Sequence, residues 1–140
     1  MTMHIGMTGT RSGMTPEQAH TFYNLLEKYK GEWFHHGDCQ GADAEGHDFA
    51  TELGYKTHVH PPIKDEVRAF KQGTTQSENK GYFARNRDIV DESEILFGTP
   101  VTMFETQGGT WYTINYAKKK NKPIIIVFPD GTTEEFNLPK

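Results

Sequence analysis

The feature that most constrains this chain is an alternation. Short apolar runs take turns with segments spaced as amphipathic helices, and glycine-containing loops separate the two. Met3–Thr8 reads as a first strand that runs into Gly9-Thr10-Arg11-Ser12-Gly13. Thr15-Pro16-Glu17-Gln18 has the residues of a helix start, with Thr15 as N-cap, Pro16 at the first position and Gln18 closing a capping box. Phe22, Leu25, Leu26 and Tyr29 continue at helical spacing, and Gly31 is expected to end that helix. Glu32–His36 predicts a second strand, Ala44–Leu53 a helix closed by Gly54, and Tyr55–His60 a third strand stopped by Pro61-Pro62. Tyr82–Asp91 predicts a helix, Glu94–Phe97 a fourth strand, Trp111–Lys120 a helix, and Pro123–Phe128 a buried strand. Asp130-Gly131 marks a turn before a short closing strand within Thr132–Leu138. The stretch Ile63–Lys80 is polar, and its middle, residues 73–79, reads as a mobile flap.

Strands that alternate with helices imply βαβ units, hence an α/β fold with three layers: a mostly parallel sheet and helices on both faces. Ligands in such sheets sit beyond the carboxyl ends of the strands, at the switch point. With 140 residues, one domain spanning 1–140 is expected. The 17 aromatics (9 Phe, 6 Tyr, 2 Trp) can fill its core. Fifteen Lys+Arg against 19 Asp+Glu give a net charge of −4, which disfavours non-specific binding to nucleic acid. The single cysteine, Cys39, excludes an internal disulfide and fits a reducing, cytoplasmic setting. Met1 to Met7 lacks the pattern of a secretory signal. The longest apolar run, Ile124–Phe128, is far short of the about 20 residues that span a membrane, so no membrane partner is expected.

Three loops carry the functional expectation. Gly9-Thr10-Arg11 follows the first strand, Gly37-Asp38 through Gly41-Ala42-Asp43 follows the second, and Gly108-Gly109-Thr110 precedes a helix. All three fall on one edge of a parallel sheet. Glycine admits close backbone approach, and a helix amino terminus with free N–H groups favours an anion, typically a phosphate. Thr10 and Thr110 add hydroxyl donors, Arg11, Arg85 and Arg87 offer guanidinium forks, and Asp38 and Asp43 can accept from ribose or base groups. None of the loops is a strict Walker motif or a strict G-x-G-x-x-G, so classical ATPases and dinucleotide dehydrogenases are poor fits.

His58 and His60 lie two apart on a strand and share a face, while His35, His36 and Cys39 lie near the end of another strand. No C-x-x-C pair or H-E-x-x-H helix accompanies them, so no metal site is expected. Cys39 reads as a small residue in a tight loop rather than a nucleophile.

The motifs Ile5-Gly6-Met7-Thr8-Gly9-Thr10-Arg11, His36-Gly37-Asp38-Cys39-Gln40-Gly41-Ala42-Asp43, Arg85-Asn86-Arg87-Asp88-Ile89-Val90 and Gly108-Gly109-Thr110, in that order, resemble the SLOG superfamily. This Rossmann-like group contains the DprA/Smf proteins and the LOG ("lonely guy") phosphoribohydrolases. The resemblance covers about residues 3–130 and is greatest to the small YspA/YpsA-like branch. It implies a nucleotide or nucleotide-derived ligand, such as a nucleoside monophosphate or ADP-ribose, held over the Gly-Gly-Thr loop without a further cofactor. Gly9, Thr10, Arg11, Gly37, Asp38, Gly41, Asp43, Arg85, Gly108, Gly109 and Thr110 would form its site. LOG enzymes cleave the base–ribose bond with an Arg, matched here by Arg85, and a Glu in Gly-Gly-x-Gly-Thr-x-x-Glu. Counting on from Thr110, that Glu position holds Thr113. A hydrolase would therefore draw its carboxylate from Glu105 or Asp38. DprA-like single-stranded DNA binding is a further alternative, needing Arg11, Arg85, Arg87, Lys71 and Lys80 to gather. Superfamily members often form homo-oligomers, for which exposed Trp111 or Tyr112 would serve.

Overall fold

The computed structural model describes residues 3–139. A seven-stranded sheet runs through the molecule, with strand order β4-β3-β2-β1-β5-β6-β7. The strands are β1 (His4–Gly9), β2 (Trp33–His36), β3 (Lys56–Val59), β4 (Thr75–Gln76), β5 (Ile95–Thr99), β6 (Ile124–Val127) and β7 (Thr133–Phe136). All neighbours are parallel except β6 and β7, which the Asp130-Gly131 turn folds back on each other. The helices are α1 (Pro16–Tyr29), α2 (Ala42–Glu52), α3 (Tyr82–Asp91) and α4 (Gly109–Lys119). Chain order steps one way from β1 through β2 and β3, then resumes on the other side of β1 at β5. The switch point therefore lies between the carboxyl ends of β1 and β5.

Each helix forms where its local chemistry directs. The Thr15 hydroxyl accepts from the Gln18 backbone N–H, and the Gln18 amide oxygen accepts from the Thr15 N–H, satisfying two otherwise orphaned donors. The end of α1 differs from expectation: Lys30, not Gly31, takes the left-handed conformation, at φ 49°. Side chains alternate across the sheet. Ile5, Met7 and Phe34 pack with Phe22 and Leu26 of α1 and with Ala50 of α2. Leu96, Ile124 and Ile126 pack on the other face with Ile89 of α3 and with Trp111 and Ile114 of α4. Burial of these aliphatic and aromatic groups supplies the main folding force.

The 73–79 stretch is not a flap. Thr74 N–H donates to Thr57 O and Ser77 N–H to Val59 O, which makes β4 the edge of the sheet. His58 contacts the Thr75 and Ser77 hydroxyls from the same side. Among the described residues no helix is long and apolar enough to cross a membrane.

Candidate functional site

Thr10 N–H still pairs with Thr99 O, after which the chains leaving β1 and β5 diverge. A cleft of about 310 Å³ opens there. Gly9, Thr10 and Arg11 form one wall, Pro100 and Val101 another, and Thr106–Trp111 the third, with Tyr82 of α3 alongside. The amino end of α4 closes it. Gly108 is the N-cap and provides no side-chain hydrogen bond, and no acidic residue stands in the first turn. Its φ of +140° is a conformation that side-chain-bearing residues avoid, yet a Cβ there would meet nothing within 4 Å. The glycine is thus required by backbone conformation, and the space beside it stays open. The uncapped amides of the first turn carry the positive end of the helix dipole.

Two buried donors flank this helix start without partners: the indole Nε1–H of Trp111 and the Nε–H of Arg85. Trp111 lines the cleft and is only 6% exposed. Trp111 is therefore a wall of the cleft and is not exposed for oligomer contacts. The Arg11 and Arg85 guanidinium carbons each lie 4.8 Å from the centre of the Tyr82 ring, a cation–π distance. Arg11 is exposed, whereas Arg85 is buried and donates to Gly37 O and, at 3.2 Å, to His60 O. Arg85 lies beneath the cleft, lining a water-sized crevice with Asp43, Asn86, Gly109 and Thr110.

The loop after β2 is built differently. Asp38 is fully buried at φ 55°, and its carboxylate accepts from Arg68 Nε and Lys71 N–H, both at 2.8 Å. It does not line the cleft. Asp43 accepts from the N–H groups of Gly37 and Cys39. Burial raises its pKa to about 6 against the opposing charge of Arg85. Gly41, at φ +88°, sits so close to the first loop that a Cβ would lie 2.3 Å from Arg11 O. Gly37 packs against the Arg85 guanidinium in the same way. Gly41 thus joins loop to loop and Gly37 joins its loop to α3, and neither leaves room for a ligand. Burial pushes the Cys39 thiol up, away from the thiolate.

Glu105 is exposed and accepts from Asn115 Nδ2 at 3.0 Å, outside the cleft. Thr113, at the LOG glutamate position, is fully buried and donates its hydroxyl to Gly109 O. Among the described residues, no carboxylate lines the cleft. The other cations are dispersed: Lys71 pairs with Asp48, Lys80 with Asp88, and Arg87 donates to the Tyr112 hydroxyl. Thr10, Arg11, Gly9 and Gly108–Thr110 are thus brought together, while Asp38, Gly37, Gly41 and Glu105 stand apart. Sequence reasoning missed Tyr82, Gln107 and Val101 as cleft-lining residues. Only Tyr82 had a signal, its place at the start of the Arg85-Asn86 helix.

No family model matches the chain, and no curated protein matches it. Solved structures do. The molybdenum cofactor binding protein of Rippkaea orientalis superposes with a TM-score of 0.72 at 20% identity, covering 91% of this chain and 77% of its own. The molybdenum cofactor carrier protein of Chlamydomonas reinhardtii gives 0.67 at 21%, covering 90% and 76%. DNA processing protein A of Streptococcus pneumoniae gives 0.68 at 16%, covering 89% of this chain and 50% of that one. The fold shared with these structures is a three-layer Rossmann-like α/β architecture. What is shared at these identities is the fold.

Proposed function

We propose that this chain binds a small molecule that carries a phosphate and a flat ring system. The phosphate would sit at the amino end of α4, held by the Gly109, Thr110 and Trp111 amides and the Thr110 hydroxyl. Arg11 would neutralise it, and the ring would extend toward Tyr82. A nucleotide or nucleotide-derived compound has this chemistry, and so does a phosphorylated pterin of the molybdenum cofactor type, which the Rippkaea and Chlamydomonas proteins bind. The observation that carries the reading is an uncapped helix start opening onto a cleft with no lining carboxylate. An anion in the cleft meets donors, and Asp43 in the crevice below faces the opposing charge of Arg85.

The same observation favours binding over N-glycosidic cleavage. Hydrolysis needs a carboxylate beside the developing oxocarbenium ion. Asp38 is locked to Arg68, and Glu105 faces Asn115. Single-stranded DNA binding is disfavoured because Arg68, Lys71 and Lys80 are already paired with carboxylates.

The test is a thermal-shift and calorimetric titration with AMP, ADP-ribose and a molybdopterin-type phosphate, followed by chromatography of the mixture. Unmodified ligand and a raised Tm are expected. Arg11→Ala and Thr110→Ala should each weaken binding about tenfold, which is about 1.4 kcal/mol. Absence of a shift with every compound, or affinity indifferent to both substitutions, defeats the proposal. Release of free base would transfer the assignment to the hydrolase, and a steep salt dependence with single-stranded DNA would transfer it to the DNA reading.

A further inference from the structure

The α3 face of β2 and β3 carries a second concentration of chemistry, separate from the cleft. Strand register sets Gly6, His35 and His58 side by side. His60 follows one step beyond β3, where its N–H continues the ladder to His36 O. His35 is 3% exposed and His60 1%. His35 Nε2 lies 2.8 Å from His4 Nδ1, and His35 Nδ1 lies 2.9 Å from His60 Nε2. The His58 ring is held by the hydroxyls of Thr75 and Ser77, so both its nitrogens are engaged.

Glu92, the C-cap residue of α3, completes the group. One carboxylate oxygen lies 3.9 Å from His35 Nδ1 and 3.8 Å from His60 Nε2. A chain of imidazole hydrogen bonds explains the His4–His35–His60 contacts. It does not explain why a carboxylate faces the same two nitrogens. Three ligand atoms from β2, the end of β3 and the end of α3 thus converge within 4.8 Å of one another.

We propose that His35 Nδ1, His60 Nε2 and Glu92 form a binding site for a divalent transition metal, with zinc the best match to two imidazoles and one carboxylate. Nitrogen ligands about 2.0–2.1 Å from a tetrahedral zinc lie about 3.3 Å apart. The two rings must therefore separate by a few tenths of an ångström, and the Glu92 side chain must move in by a similar distance. That side chain is 48% exposed, which gives the ion an entry path and leaves a position for water. His4 acts as the outer partner: it accepts from His35 Nε2–H and so leaves the His35 Nδ1 lone pair facing the ion. The proton that joins the two rings passes from His60 Nε2 to its unpartnered Nδ1, so binding requires no net loss of a proton from the pair. The ion would tie β2 and the end of β3 to the end of α3. The site is independent of what the cleft binds.

The experiment is a calorimetric titration of untagged, chelator-treated protein with zinc chloride, repeated on Glu92→Gln, His60→Asn and Glu94→Gln. The Glu94 carboxylate accepts only from the His4 backbone N–H among the described contacts, so that variant is the control. The expected result is one zinc per chain, at least tenfold weaker in Glu92→Gln and His60→Asn, and unchanged in Glu94→Gln. Cobalt in place of zinc should show the intense ligand-field bands of a low-coordinate site, lost in Glu92→Gln. Glu92→Gln changes a half-exposed cap and keeps the fold, so it remains decisive if His60→Asn does not fold. Absence of saturation at one equivalent, or zinc affinity unaltered in Glu92→Gln, overturns the proposal.

Discussion

The loops at residues 37–41 and 106–110 lie on the same edge of the sheet, each leads into a helix, and each is rich in glycine, yet one is sealed and the other open. In the first, Asp38 and Asp43 turn inward and take the amides and cations around them. The first turn of α2 also carries Glu45, whose carboxylate accepts from Met14 N–H. The first turn of α4 carries no acidic residue, and Gly108 has no side chain with which to cap it. An anion site is left where the protein does not supply its own anion. Glycine content alone does not separate the two cases.

The sharpest way to break the contrast is Gly41→Ala. Its Cβ would meet Arg11 O at a forbidden distance and at positive φ, so a loss of about 4 kcal/mol is expected in urea unfolding. A loss below about 1 kcal/mol would mean that the loops are not locked together. Asp38→Ala strips the partner from Arg68 and should cost about 3 kcal/mol, while the phosphate-ligand affinity of the remaining folded protein stays unchanged. A selective fall in affinity would put Asp38 back into the site.

Asp43 gives the loop a pH signature. Its folded pKa is raised to about 6 by burial, above that of the unfolded chain, so the folded state holds the extra proton. The stability this group contributes is full below about pH 4 and is lost as pH rises to about 6. Relative to the parent protein, Asp43→Asn should gain roughly 2–3 kcal/mol between about pH 4 and about pH 7. Parallel stability curves would show that Asp43 titrates normally. The smallest structural effect belongs to Gly108→Ala. Strain without collision should cost about 1–2 kcal/mol, but binding at the helix start should weaken together with it. Unchanged binding would separate this loop from the ligand.

Much of the architecture was legible because local signals agreed with one another. The capping box at Thr15–Gln18 and the helix over Tyr82–Asp91 are formed by residues near in sequence, and Ile124–Val127 is a continuous β-branched run. The 73–79 segment misled because a polar, glycine-containing stretch carries no mark of the strand it will pair with. Its pairing is supplied by Thr57 and Val59. In the cleft, Thr10, Arg11 and Gly108–Thr110 were legible as strand-end and helix-start residues. Asp38 reads as an acceptor for a ligand until Arg68, 30 residues away, is brought to 2.8 Å. The period-2 spacing placed His58 and His60 on one face, but His35, His4 and Glu92 join them only through strand register and the position where α3 ends.

The sequence by itself determined the order of strands and helices apart from β4, the edge of the sheet where glycine loops collect, and the helix that begins without an acidic cap. These follow from periodicity and from steric rules that act within a few residues. The tertiary structure decided which polar side chains are used up by their neighbours and which donors are left facing space. That choice depends on distances between segments far apart in the chain, which no local rule encodes.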